Sequence, residues 1–256
     1  MARKTHLDVS AWSVGGTDFI GLFKNASVDI EAMTQEGRAV SQRYGLAIPV
    51  KKNVSFSFDE LITSSGGGAI RQSNLNITVF SIAGTSYLST LDSGSLKITT
   101  VCKDGSADSD EWEFNYAMGT EYEVEAELFV ATSATLLTAI AAAGISGLLV
   151  AVSISLGGSV ISLPMTMTKG GHTTGEGDFQ KQKVSLKGRG APTTATGNSL
   201  VVSILTGTAS IAYVLNTGAN TYSGDAIVKE SGFTWANSQL ITASHAFAGS
   251  GAPTVS

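Results

Sequence analysis

Glu121-Tyr122-Glu123-Val124-Glu125-Ala126-Glu127-Leu128 places a carboxylate at every second position and an apolar or aromatic side chain between. Successive side chains on a strand point to opposite faces. The octapeptide therefore predicts a half-buried strand with four carboxylates on one side and Tyr122, Val124, Ala126 and Leu128 on the other. It opens a stretch, 118–192, that is predicted to run on as helix, two strands, a polar loop and a closing strand. Thr132 or Ser133 can cap a helix over 133–143, Leu136, Leu137 and Ile140 form one stripe, and Gly144 is its stop. Residues 148–156 and 160–167 predict a hairpin across Gly157-Gly158. A glycine-rich loop is expected over 169–178. A strand over 179–190 follows, with Val184 and Leu186 on one face and Lys181, Lys183 and Lys187 on the other. A lysine face can pair with a glutamate face, within one chain or between chains.

Upstream, 26–31 alternates with Val28 and Ile30 inward, and 51–58 with Val54, Phe56 and Phe58 inward. Between them, 34–46 (TQEGRAVSQRYGL) has no apolar period and predicts a long exposed loop, the usual place for binding or assembly contacts. Residues 64–68 predict a loop tip, 74–81 and 95–101 strands, and 103–110 a turn rich in Asp, Ser and Gly. Residues 111–116 predict a further strand, with Trp112, Phe114 and Tyr116 on one face and Glu111 and Glu113 on the other. Glu111, Glu113, Glu121, Glu123, Glu125 and Glu127 would repel one another in a low dielectric, so they belong in water.

At 256 residues the chain can bury a substantial core as one large β domain or two smaller ones. Abundant Gly between short apolar runs favours sheets. Charged residues make up only 14%, which fits either a surface covered in an assembly or a Ser/Thr-rich solvated one. A net charge of −5 argues against electrostatic binding to nucleic acid or anionic membranes. One cysteine, Cys102, excludes an intrachain disulfide and a thiolate metal cluster. The charge-free run 128–168 is broken by Gly144, Ser146 and Gly147, so no membrane helix is expected. The first residues lack the apolar stretch of a secretory signal, and synthesis in the cytoplasm is expected.

Gly188-Arg189-Gly190-Ala191-Pro192-Thr193 recurs as Gly249-Ser250-Gly251-Ala252-Pro253-Thr254, each after a strand-like segment. The second half thus echoes the first, with 194–198 as a linker, although turn chemistry can recur by chance in a Gly-rich chain. His6, His172 and His245 stand apart without metal-ligand spacing and are expected at surfaces or turns. The loop 170–175 lacks the Gly-Lys-Ser/Thr of a phosphate loop, and no Gly-x-Ser-x-Gly elbow occurs. No enzyme activity, cofactor or metal is expected.

From about residue 21 to residue 192, the order of segments resembles the tail tube (major tail) proteins of tailed bacteriophages. The likeness rests on the strand 26–31, the long loop 34–46, the strand 51–58, the helix 133–143, the hairpin at Gly157-Gly158 and the closing strand with its Gly-x-Gly ending. It implies a mainly β fold, a β-sandwich with one short flanking helix over 1–193, followed by a C-terminal β extension or partial repeat over 194–256. It also implies a virion structural protein that forms hexameric rings. These stack with each other and with other tail proteins into a hollow DNA conduit, without specific DNA binding and without a membrane. On that reading the six glutamates face the lumen, and Glu36, Arg38, Gln42, Arg43 and Tyr44 join ring to ring. The alternative is a capsid decoration or surface-adhesion β protein.

Overall fold

The computed structural model describes residues 10–15, 17–19, 23–37, 46–61, 77–107, 109–130, 150–156, 159–173, 180–194, 210–237 and 239–256. Its strands are β1 (Trp12–Val14), β2 (Thr17–Asp18), β3 (Phe23–Gly37), β4 (Leu46–Leu61), β5 (Phe80–Ile82), β6 (Thr85–Ser86), β7 (Leu91–Asp104) and β8 (Asn115–Phe129). They continue as β9 (Val150–Leu156), β10 (Ser159–Thr173), β11 (Lys181–Gly188), β12 (Thr193–Thr194), β13 (Ile211–Asn216), β14 (Thr221–Ala236) and β15 (Thr242–Val255). All belong to one sheet, and every pairing between them is antiparallel.

Alternation predicts the buried faces well. Tyr122, Val124, Ala126 and Leu128 are buried, as are Val54, Phe56 and Phe58 on β4, Leu96 and Ile98 on β7, and Val184 and Leu186 on β11. The sheet curls over these faces. Tyr213 of β13 reaches Phe56 of β4 at a ring separation of 4.7 Å, although β14 and β15 lie between their strands in the sheet. Phe80 of β5 meets Trp235 of β14 edge-on at 6.5 Å. One continuous core results, and it excludes water from the large apolar area that drives folding.

The sheet is built twice. Order β2-β1-β13-β14-β15-β4-β3 recurs as β6-β5-β9-β10-β11-β8-β7. Strands β5–β8 follow β1–β4 at a constant 68 positions, so that Trp12 corresponds to Phe80 and Val54 to Tyr122. Strands β13–β15 follow β9–β11 at 61 positions, so that Ile154 corresponds to Leu215 and Gly188 to Gly249. Irregularities repeat as well. The slip from Met33↔Lys51 to Thr34↔Pro49 recurs from Val101↔Gly119 to Cys102↔Ala117. That from Met167↔Leu186 to Lys169↔Ser185 recurs from Val228↔Phe247 to Glu230↔Ala246. Backbone bonds follow suit: Phe19 N–H to Trp12 C=O (2.8 Å) matches Tyr87 N–H to Phe80 C=O (2.9 Å). The second unit, 77–194, is inserted into the first between β4 and β13, and β7 joins them by pairing with β14.

The Gly-x-Gly-Ala-Pro-Thr copies occupy the same place in each unit. Gly188 to Thr193 spans five steps while its partner β10 moves three, from Met165 to Ser162, and Gly249 to Thr254 does the same against Ala226 to Ser223. Each is therefore a bulge with two extra residues. Its middle glycine, Gly190 or Gly251, has φ of 115° or 85°, a region that side-chain-bearing residues avoid. A Cβ on the leading glycine would lie 2.3 Å from the Tyr122 ring in one copy and 3.0 Å from Val54 in the other, residues that themselves correspond.

Several expectations change. The echo between halves is a nested duplication, not two consecutive units: 194–256 supplies β13–β15, which complete the sheet begun by β1–β4. A separate sandwich is not what the pairing shows, because all the strands form one curled sheet. The loop expected over 34–46 is strand as far as Gly37 and again from Leu46, since the ladder of β3 and β4 continues past the apolar period. The glycine-rich stretch 169–173 is likewise strand, held by β11. Residues 77–79 precede rather than form β5. Ile30, expected inward, is 46% exposed, because β3 runs along the sheet margin. The helix 133–143, the Gly157-Gly158 turn and 64–68 lie outside the described residues.

Candidate functional site

Hydrogen bonding places β8 between β7 and β11, and this brings the two predicted charged faces together. Glu121, Glu123 and Glu125 are exposed and Glu127 is half-buried. Glu123 lies directly across from Lys97 on β7 and Lys187 on β11, and Glu127 across from Lys183. Lys183 Nζ is 2.9 Å from Glu127, Lys187 Nζ is 3.2 Å from Glu121 and 3.9 Å from Glu123, and Lys97 Nζ is 3.0 Å from Glu230. Lys181 Nζ holds Asp92 at 2.7 Å. The hydrogen bond from Lys183 holds the Glu127 carboxyl below its usual range, and the same bond raises the Lys183 ammonium. The question left open by the sequence is thus settled within one chain. The face is an alternation of acid and base, not the bare acidic wall that the glutamates alone suggest.

Glu111 and Glu113 lie elsewhere. They belong to the segment that leads from β7 to β8 and bridges to β4 through Lys52 and Trp112. Lys52 forms an ion pair with Glu111 and lies over the Trp112 ring, 5.4 Å from its centre. The Glu113 N–H donates to the Lys52 C=O, and Gly251 N–H donates to the Glu113 C=O. Nearby, Lys51 Nζ contacts Asp104 at 3.3 Å. The Ser106 hydroxyl and N–H lower the Asp104 pKa to about 2, with a smaller contribution from Lys51. Of the expected ring-to-ring residues, Glu36 sits on β3, while Arg38, Gln42, Arg43 and Tyr44 lie outside the described residues.

Two features escape a periodicity argument. The first is unsatisfied backbone. Among the described residues β3 pairs with β4 alone, leaving its other edge free, and β10 beyond Lys169 pairs with β11 alone. An exposed strand edge is a template for another strand. Exposed apolar side chains accompany it: Ile30 and Met33 on β3 and Val50 on β4, with Val101, Phe114 and Met118 around the β7–β8 end.

The second is a buried polar chain. Ser231 Oγ is 2.6 Å from His245 Nδ1, and His245 Nε2 is 3.0 Å from Glu60 Oε1. All three are buried, and the imidazole also packs against Phe58 and Phe233. His245 is therefore neither a surface nor a turn residue; three strands converge on it. The order serine, histidine, carboxylate is that of a hydrolase triad, but Ser231 is fully buried and offers a substrate no approach. The second unit has Leu128 and Val184 in place of Glu60 and His245. The chain of bonds reads as a pin between β4, β15 and β14.

Among the described residues no group of three or more His, Cys, Asp or Glu could hold a metal ion, and no helix is long and apolar enough to cross a membrane. No family model matches the chain, and no curated protein matches it. Among solved structures, a chain from the virion of a native gene transfer agent particle is similar over 46% of this chain and 95% of its own, with 10% identity and a TM-score of 0.36.

Proposed function

We propose that the protein is a virion structural protein, the subunit of a tail tube that self-assembles into stacked rings around a channel for DNA. One observation carries this reading: two like units are already joined edge to edge, and among the described residues each end of that pair presents an edge of the kind used in the join. A chain built this way is a segment of a larger repeating wall. Head-to-tail contacts of that sort close into rings when the rotation permits. The apolar side chains exposed at the hairpin ends, Met33, Val50, Phe114 and Met118 among them, suit burial between stacked rings.

The charged face of β7, β8 and β11 lines the channel on this reading. Lys97, Lys181, Lys183 and Lys187 each have a carboxylate partner, so they are not free to bind phosphate and release counterions. DNA then slides instead of sticking. Electron microscopy of the purified protein over a concentration range tests the assembly: rings or tubes with an open channel are expected, and compact particles at every concentration would remove it. Changing Glu121, Glu123, Glu125 and Glu127 to Gln should leave particles intact but slow DNA release, because Lys183 and Lys187 lose their partners. Unchanged release kinetics would take this face out of the channel.

A further inference from the structure

The two units of the chain meet at one strand junction. Strand β7 of the second unit pairs with β14 of the first, with Thr99↔Glu230, Ile98↔Ser231, Lys97↔Gly232, Leu96↔Phe233 and Ser95↔Thr234. It uses the edge of β14 that β13 leaves uncovered. In the duplicated frame β7 corresponds to β3, and β14 to β10. Both counterparts are unpaired at the matching positions among the described residues.

We propose that β3 of one copy adds antiparallel to β10 of a second copy, with Glu31 opposite Lys169, Ile30 opposite Gly170, Asp29 opposite Gly171, Val28 opposite His172 and Ser27 opposite Thr173. This rests on the self-assembling reading for the existence of a chain-to-chain contact; duplication and side-chain chemistry locate it. Three observations agree. Within the chain, Lys97 and Glu230 are joined at 3.0 Å; their counterparts are Asp29 and Lys169, the same opposite-charge pair with its signs exchanged. Asp29 and Lys169 are both exposed. Ile98 at the internal junction is 0% exposed, whereas its counterpart Ile30, the same residue type, is 46% exposed and awaits a cover. Finally, the tip of the β7–β8 hairpin already clasps the neighbouring unit, through Asp104 to Lys51 and through Glu111 and Trp112 to Lys52. At the same 68-position spacing Asp104 corresponds to Glu36, and Lys51 and Lys52 to Gly119 and Thr120, so the Gly37 end of β3 lies toward β8 of the next copy.

Stoichiometry follows from the nesting. First and second units alternate around the ring, so the number of units is even and twice the number of chains.

A Cys102→Ser chain carrying Ile30→Cys and Gly170→Cys tests the register, since directly opposed residues of antiparallel strands stand about 4.5–5.5 Å apart at Cα, within disulfide reach. Oxidation should convert monomer into a covalent ladder of two and more chains. In parallel, Asp29→Lys or Lys169→Glu alone should lower the assembled fraction at least tenfold, and the two together should restore it to within twofold, with circular dichroism unchanged. Particles that form with no ladder and no response to charge reversal would overturn the β3–β10 contact while leaving the tube reading in place. A ladder without rings or tubes would leave the contact and remove the tube.

Discussion

Replacing His245 by Val puts into the first unit the residue that the second unit has at Val184, but without its surroundings. The change removes the group that bonds both Glu60 and Ser231 in the buried chain. Glu60 is 5% exposed and Ser231 is 0% exposed, so neither can recover a bond to water without opening the sheet. Removing one partner of a buried pair costs about 3–5 kcal/mol, because the remaining polar group stays desolvated. With a urea m-value of about 3 kcal/mol/M, this is a fall of about 1–1.7 M in the unfolding midpoint, followed by tryptophan fluorescence at concentrations too low for assembly. Completing the exchange as Glu60→Leu, Ser231→Ala and His245→Val removes all the stranded polar groups. It should return stability to within about 1 kcal/mol of the natural chain, since apolar replacement of a whole buried network is often neutral. A single change that moves the midpoint by less than about 0.3 M, or a triple change as unstable as the single one, would refute the pin.

The bulges offer a second test. Gly251→Ala meets both a φ of 85° and a Cβ position 3.0 Å from the Phe114 ring, and should cost about 1–3 kcal/mol in the same unfolding assay. Gly188→Ala drives its Cβ to 2.3 Å from the Tyr122 ring and should destabilise by a similar or larger amount, visible as a fall in thermal midpoint. Asp104 provides a pH signature. Its carboxyl is lowered to about 2 from 3.8, chiefly by the Ser106 hydroxyl, so the stabilisation it contributes is present above 3.8 and is lost as pH falls through about 2. Ser106→Ala should raise the Asp104 titration midpoint toward 3.8 in a carboxyl-detected NMR titration. An unmoved midpoint would mean that the hydroxyl is not its partner.

Alternation along single segments was legible without a structure. Period two states which face of a strand is wet, and that depends only on backbone geometry and local side chains; hence β4, β8 and β11 bury the residues expected of them. It failed at Ile30, where the apolar side chain points to a face that nothing among the described residues covers. Strand ends were poorly predicted where glycine and polar residues stay in a ladder through partner hydrogen bonds, as at 169–173 and 34–37. His245 looked isolated because its partners are 185 and 14 positions away.

By itself, then, the sequence determined a β protein of alternating strands, a glutamate face, a lysine face able to meet it, and one motif that occurs twice. Tertiary structure decided which strand lies beside which. Only pairing reveals that the motif marks equivalent bulges in two nested units, because a core position requires a volume and an apolar character, not a residue type. Phe56 and Val124 occupy equivalent sites, as do His245 and Val184, and so the duplication survives in the ladder registers after most of the side chains have diverged. Neighbour choice is a property of chain segments far apart in sequence, and the period of one strand carries no information about the register of another.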